Sequence, residues 1–365
     1  MTVKRKRLAF VVNNLDVGGL ERVVINLINS LDQTLFDIYI VCLDGEGKLF
    51  EEIKGKIQDS LVLSKKGGID IFSIISMRRF FVKNRIQIVH SHNHSPMIYS
   101  GVAIKLILFN KPRLLFTEHN QVSRLSVNEL NKLSKYLKMV DRVFTVSKSL
   151  IKLYKSKLDT DVDAVLYNGV PESVIDNVDK SRIREEKELT DTDFVLCTVA
   201  ILKKQKGLEY LIKALSELKK YKDIKLLIAG SGVLLDELIK LVHRYDLDNK
   251  VFFLGYRSDL GNILSGSDVF VLSSIQEGLP MSIIEALAVG LPVITTDVGG
   301  CSELVIDKEN GIVINSKSSG ELSNAILKLY ENREELEKYT KINKERYKKY
   351  FSLDAMMNSH VQEYQ

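Results

Sequence analysis

Along the chain, short runs rich in Val, Ile, Leu and Phe, many of them unbroken, alternate with stretches whose apolar residues recur at three- and four-residue spacing. The runs fall at residues 8–15, 37–43, 86–91, 113–118, 142–147 and 164–167. A second series falls at 194–200, 224–230, 251–254, 269–273, 292–296 and 311–314. Runs unbroken by polar residues predict strands buried on both faces, the habit of parallel sheets. Between them, Leu20, Val23, Val24, Leu27, Ile28 and Leu31 form one helical stripe, and Leu208, Leu211, Ile212, Leu215 and Leu218 form another. Strands separated by such helices are βαβ units of right-handed, parallel sheets.

The alternation lapses once. Asn168-Gly169-Val170-Pro171 opens a polar stretch that runs to about residue 187, and a domain boundary is expected there. The pattern predicts an α/β protein of two Rossmann-like parallel-sheet domains, residues 1–170 and 171–349. Closing helices are expected at about 331–350 and 353–365, with residues from about 350 packing back on the first domain. Ligands of open parallel sheets bind beyond the carboxyl ends of the strands. In two facing domains those ends would line one cleft.

Composition agrees with two cores: 365 residues, 45% of them hydrophobic and 27% charged, with only 5 Pro. The three cysteines, Cys42, Cys197 and Cys301, lie far apart with no CxxC pair. That argues against a disulfide framework or structural zinc and for a reducing cytoplasm. The N-terminal MTVKRKRLAFVV imitates a signal peptide, but its apolar run is short and ends at Asn13-Asn14. No stretch approaches the roughly 20 apolar residues of a membrane span. Charge is uneven: residues 1–180 hold 27 Lys and Arg against 19 Asp and Glu, net +8, and the remainder is net −3. A basic first half suits an anionic membrane surface, an anionic acceptor or nucleic acid, or is only a solvated face.

Four segments could carry chemistry. The turn from Asn13 to Gly18-Gly19 joins the first strand to the first helix, where paired glycines permit φ > 0 and close approach of a ligand. In SSIQEGLPMSIIEALA, Pro280 suits the first position of a helix. Glu277 precedes that helix, and Glu285 lies inside it among Ile283, Ile284, Ala286, Leu287 and Ala288. A carboxylate buried there would need donors, which ligand hydroxyls supply. The third segment, Ala200 to Gly207, follows a strand and contains Lys203, Lys204 and Lys206. The fourth is Thr117-Glu118-His119-Asn120.

Glu277-x7-Glu285, set in EGLPMSIIEALAVGLPVITTDVGG, closely resembles the retaining glycosyltransferases of family four, which have the GT-B fold. The Gly18-Gly19 turn, Asn168-Gly169-Val170 and Lys206-Gly207 stand in the corresponding order. The resemblance implies that Glu285 holds the donor ribose, Glu277 contacts the donor sugar, and Gly278, Leu279 and Pro280 line the sugar and diphosphate. Met281 and Ser282 would open the helix whose N–H groups face the phosphates. Lys206 would bind the diphosphate with an Arg five residues earlier, but Ile201 stands there, so Lys203 or Lys204 must replace that Arg or the phosphate is held more weakly. His119 would lie against the donor sugar, and Glu118 is a candidate acceptor-side base.

The implied reaction moves a sugar, with retention, from a nucleotide diphosphate sugar (UDP-linked in the first instance) to a glycan or polyprenyl-diphosphate-linked acceptor. It belongs to bacterial-type surface polysaccharide synthesis. No metal, no further cofactor and no nucleic acid is expected, and the location is cytoplasmic, with peripheral contact to an anionic membrane. A nucleotide-sugar epimerase and a non-catalytic nucleotide-sugar-binding partner remain as alternatives. Three other features are set aside. His90, His92 and His94 alternate and would share one face of an extended segment, but no Cys or carboxylate completes a zinc site nearby, and a place beside the acceptor cleft is expected of them instead. Asp159-Thr160-Asp161 and Asp191-Thr192-Asp193 read as DxD but fall in polar turns. The apolar segment 96–112, with Lys105, Lys111 and Arg113, suits a core helix better than a membrane contact.

Overall fold

The computed structural model describes residues 5–65, 68–119, 125–176 and 178–365. Asn120 of the fourth segment and residues 1–4 lie outside them. The chain forms two compact units, one of Met1–Asn168 with Met356–Gln365, the other of Gly169–Ala355.

The first unit contains seven parallel strands: β1 (Lys6–Val12), β2 (Phe36–Cys42), β3 (Asp59–Val62), β4 (Ile88–His92), β5 (Arg113–Glu118), β6 (Arg142–Thr145) and β7 (Ala164–Val165). Their order across the sheet is β3-β2-β1-β4-β5-β6-β7. Among the described residues, five α-helices connect them: α1 (Gly19–Ser30), α2 (Ile71–Lys83), α3 (His94–Lys105), α4 (Val127–Leu137) and α5 (Lys148–Leu158). The second unit opens with α6 (Lys180–Glu186). Its six strands are β8 (Phe194–Val199), β9 (Ile224–Ala229), β10 (Val251–Gly255), β11 (Val269–Leu272), β12 (Val293–Thr296) and β13 (Gly311–Ile314), in the order β10-β9-β8-β11-β12-β13. Its helices are α7 (Leu208–Glu217), α8 (Leu235–Arg244), α9 (Leu260–Ser265), α10 (Met281–Val289), α11 (Cys301–Leu304), α12 (Ser319–Glu331) and α13 (Arg333–Arg346). The chain ends in α14 (Leu353–Tyr364).

All twelve strands expected from apolar runs are present. The thirteenth, β3, was missed because its sequence Asp-Ser-Leu-Val is an edge strand, half-exposed and without an apolar run. β1 is central, with Leu8 opposite Ile38 on one side and Ile88 on the other. Both its faces are covered, which is why Leu8 to Val12 are all apolar and buried. In the second unit the stripe of Leu208, Leu211, Ile212 and Leu215 on α7 joins Leu196, Leu226 and Ile228 of the sheet in one core.

The two expected closing helices are present, as α13 with the π turn that follows it and as α14; α12, before them, was not among those expected. α12 and α13 meet at Asn332, whose side chain accepts from Glu335 N and starts a new helix. A π turn, Tyr347–Phe351, ends α13. The last ten residues belong to the first unit. There the Tyr364 hydroxyl meets His90 Nδ1 at 2.7 Å, and Arg142 reaches Glu363 at 3.2 Å. Of the segment 96–112, expected as a core helix, residues 96–105 lie in α3 with Met97, Tyr99 and Ala103 buried, whereas Leu106, Leu108 and Phe109 beyond its end are exposed.

Candidate functional site

In each sheet the strand order reverses at one place, and the loops there diverge to opposite faces and leave a crevice at the carboxyl edge. In the second sheet the reversal lies between β8 and β11. The loop after β8 carries Lys206 and the loop after β11 carries Glu277. Lys206 Nζ lies 2.6 Å from Glu277 Oε1, and the Ser274 hydroxyl donates to the same oxygen at 2.5 Å. Glu277 is buried and Lys206 half-buried.

Backbone bonds hold the two loops together. Ile275 N donates to Gln205 O at 2.7 Å, and the Ser273 hydroxyl donates to Lys206 O at 3.1 Å. Gly207 starts α7 at φ 57°, and a Cβ there would lie 2.3 Å from Ser273 O. Only glycine tolerates both the left-handed backbone and that contact. A third loop joins them: Thr296 donates to Ser274 O at 2.6 Å, and Gly300 N donates to Gly278 O at 2.7 Å. Cys301 is buried near Glu277, and its thiol pKa is pushed up by burial first and by that carboxylate second.

α10 begins at Met281, so Pro280 is the capping residue and not the first helical one. Its φ of −72° and ψ of 116° are extended, leaving the first N–H groups of the helix without a side-chain cap. Ile283, Ile284, Ala286, Leu287 and Ala288 are buried. Glu285 is half-buried, on a stripe with Met281, Ser282 and Val289. The expectation of a carboxylate enclosed by apolar neighbours therefore fails. The apolar residues flank it in sequence, but their side chains turn to the core, so burial alone does not require a ligand at Glu285. Ile201 is 45% exposed, and Lys203 and Lys204 beside it are exposed too.

In the first sheet the reversal lies between β1 and β4. Gly18 is extended at φ −168°, and Gly19 begins α1. Neither has the positive φ expected of them. What Gly18 provides is room: a Cβ on it would fall 2.1 Å from Oε2 of Glu21. Burial first raises the pKa of that carboxyl, which lies over the helix N-terminus.

The histidines divide. His90 and His92 share a face of β4, as alternation requires. His94 does not, because the strand has ended and it opens α3. His90 Nδ1 meets Tyr364, and its Nε2 meets Thr117 Oγ1 at 2.8 Å, so both ring nitrogens are engaged within the protein. His92 Nδ1 lies 2.9 Å from Nε2 of His119. Such a contact needs one ring donating and one accepting. Burial holds His92 far below the usual imidazole range and His119 down to about 4.

Glu118 is fully buried, between the imidazole of His94 and the Tyr154 hydroxyl, which donates to Oε2 at 2.8 Å. Enclosed this way it cannot reach an acceptor directly. It holds His94, whose pKa burial lowers but Glu118 raises, for a net upward shift. Tyr154 was not singled out from sequence, and His94 was read only together with His90 and His92. The spacing of His94 was visible, but its change of face needed the end of β4, and Tyr154 comes from a helix distant in the chain. The DxD aspartates are taken up in turns: Lys155 bridges to Asp159 and Asp161, and Asp193 binds the Thr190 backbone and hydroxyl.

Comparison with known proteins gives the family and the fold. The family model described as glycosyl transferases group 1 matches residues 179–346, and that of glycosyltransferase family 4 matches residues 17–174. An uncharacterised glycosyltransferase of Methanocaldococcus jannaschii is 30% identical over 286 residues, 72% of this chain and 71% of the relative. The chain belongs to glycosyltransferase family 4. It is a glycosyltransferase of the hexosyltransferase type. A further relative, 27% identical over 87% of this chain and 86% of its own length, is a galactosyltransferase of Escherichia coli. Its substrates are UDP-Gal and α-D-GlcNAc-diphosphoundecaprenol. The Anabaena protein HepE, solved in complex with UDP, superposes over 98% of this chain and 99% of its own with a TM-score of 0.86 at 18% identity. The family-4 chain thus has the two-domain GT-B fold.

Proposed function

We propose that this glycosyltransferase moves a hexose-type sugar from a UDP-sugar to a glycan or polyprenyl-diphosphate-linked acceptor, with retention, in bacterial-type surface polysaccharide synthesis. The observation that carries the reading is the 2.6 Å pair of Lys206 and Glu277 at the reversal point of the second sheet. A cation and a carboxylate side by side suit the two ends of one donor. Lys206 would turn to the diphosphate, and Glu277 would accept hydroxyl protons of the sugar. The open N-terminus of α10, at Met281 and Ser282, faces developing phosphate charge with N–H groups. Gly278, Leu279 and Pro280 would line the sugar, and Glu285 would hold the ribose. The UDP complex of HepE and the diphosphoundecaprenol acceptor of the Escherichia coli relative support the choice of donor and acceptor.

In the reaction the bond from the anomeric carbon to the diphosphate oxygen breaks as the acceptor hydroxyl oxygen bonds to that carbon on the same face. The hydroxyl proton passes to the departing phosphate. Lys206 and backbone donors stabilise the charge left on the diphosphate, so the reading requires neither a divalent cation nor a further cofactor. His119, neutral at physiological pH, would contact the donor sugar beside Gly18 and Gly19. His94, held by Glu118, would face the acceptor, and Glu118 becomes a positioning residue. Three buried free thiols suit a reducing cytoplasm, and a lipid-linked acceptor would bring the enzyme to the inner face of an anionic membrane.

The test is a thermal-shift series with UDP-, GDP-, ADP- and TDP-sugars, followed by transfer assays in excess chelator. A UDP-sugar should raise the unfolding temperature, and Glu285→Ala should weaken that donor about ten-fold, the loss of one charged hydrogen bond. A shift with no nucleotide sugar, or activity that depends wholly on added metal, defeats the reading. Isomerisation of donor alone would point to an epimerase instead.

A further inference from the structure

Lys206 and Glu277 cannot both serve a donor while they remain bound to each other. When Lys206 turns to a diphosphate, Glu277 loses its cation, and its side chain is only 9% exposed. A carboxylate buried to that degree and left without a donor is strongly disfavoured. Something else must hold it.

Ser274 is placed to do so. It lies in the same loop after β11 and is fully buried. Its hydroxyl donates at 2.5 Å to Oε1, the oxygen that Lys206 Nζ also meets. Both donors therefore share one oxygen, and no hydrogen bond reaches Oε2 among the described residues. That division leaves Oε2 to accept from a ligand.

The backbone under Ser274 is fixed independently of the lysine side chain. Ser274 O accepts from the Thr296 hydroxyl at 2.6 Å, and Thr296 is itself buried at the end of β12. Ile275 N donates to Gln205 O, and Gly300 N donates to Gly278 O, each at 2.7 Å. The segment from Ser274 to Gly278 is thus tied at both ends, and none of these ties uses Lys206 Nζ. The two adjacent serines divide their work. Ser273 donates to a backbone oxygen, that of Lys206, and so staples the loops together. Ser274 gives its hydroxyl to a carboxylate, a stronger partner than a loop staple requires.

We propose that Ser274 is a positioning residue for sugar transfer: it holds Oε1 of Glu277 while Lys206 exchanges that carboxylate for the diphosphate, and so keeps Oε2 turned to a hydroxyl of the donor sugar. The proposal rests on the donor reading of Lys206 and Glu277.

Urea unfolding of the whole protein tests the holding role without any ligand. Lys206→Met imitates departure of the cation. Ser274→Ala should lower the urea midpoint more in the Lys206→Met background than alone, because there it strips the last donor from a buried carboxylate. Turnover of UDP-glucose or UDP-galactose, whichever the wild type converts faster, tests the role in transfer through release of UDP. Ser274→Ala should lose about ten-fold or more in kcat while its affinity for UDP alone, by calorimetry, stays within about two-fold of wild type. In the Glu277→Ala background the serine change should cost no further kcat, since it acts only through that carboxylate. Additive urea midpoints, or an equal loss of kcat with and without Glu277, overturn the proposal and leave Ser274 a staple of its loop. Glu277→Ala at the wild-type rate ends the donor reading itself, and the proposal falls with it. The urea comparison decides the holding role whatever the donor.

Discussion

The carboxyl edges of the two sheets use opposite electrostatics. At the second, a formal cation and a formal anion sit together, Lys206 half-buried against Glu277, in loops stitched by backbone bonds. At the first, neutral imidazoles pass hydrogen bonds to one another: His92 to His119, and His90 to Thr117 and Tyr364. A charge pair can separate and re-form around a charged ligand. A chain of buried neutral rings holds its shape and resists being charged. The difference suits a split in which the second edge handles a diphosphate and the first orients uncharged sugar hydroxyls.

The sharpest way to break that contrast is to remove one charge. Lys206→Met is expected to lower kcat/KM for transfer by about 10²–10³-fold, the usual loss for one donor aimed at developing charge. A variant within a few-fold of wild type would end the assignment of Lys206 to the diphosphate. Gly207→Ala strikes the scaffold under the pair. It forces a Cβ onto Ser273 O at a left-handed backbone and should cost about 2–3 kcal/mol in urea unfolding. If stability is unchanged, the tight approach of the two loops is not what holds them.

pH acts on the histidines of the first unit in two opposite senses. The free imidazole takes a proton near 6.5, whereas His119 and His360, the latter buried in α14 with Nδ1 2.9 Å from Met356 O, are held down to about 4 in the folded chain. Between those values the unfolded state binds more protons. Stability is therefore full above about 6.5 and falls as pH drops toward 4. His94, raised by Glu118, works the other way, its contribution being lost as pH rises through its folded value. The net expectation is a loss on the order of 2 kcal/mol from pH 7 to pH 5 in chemical denaturation, reduced in His360→Asn. A flat profile would mean that the rings are more hydrated than their burial indicates. The smallest effect concerns the missing cation: Ile201→Arg should tighten UDP-sugar binding about three- to ten-fold in calorimetry, the increment of one charge-assisted contact.

Legibility from sequence followed burial. Twelve strands could be read because central parallel strands are apolar on both faces. β3 could not, being an edge of mixed residues. Lys206 and Glu277 could be named because each follows an apolar run at a strand end. Their 2.6 Å contact depends on β8 and β11 being neighbours, which a sequence separation of 71 conceals. Glu285 exposes the limit of reading neighbours as surroundings: residues on either side of it are apolar, yet helical rotation takes them to the core and leaves its own stripe half-exposed. The same limit applied to the histidines, where the end of β4 turned His94 from its companions toward Glu118.

Periodicity and punctuation in the chain determined the two parallel-sheet units, the polar break near Asn168 and the loops that carry functional groups. Those are local consequences of side-chain pattern and backbone preference. Tertiary structure alone decided which carboxylates are enclosed, which histidine nitrogens are engaged, and that Tyr364 returns to His90 across 274 residues of sequence. Such pairings depend on strand order and helix rotation, and every one of them brings together groups whose separation along the chain carries no trace of the contact.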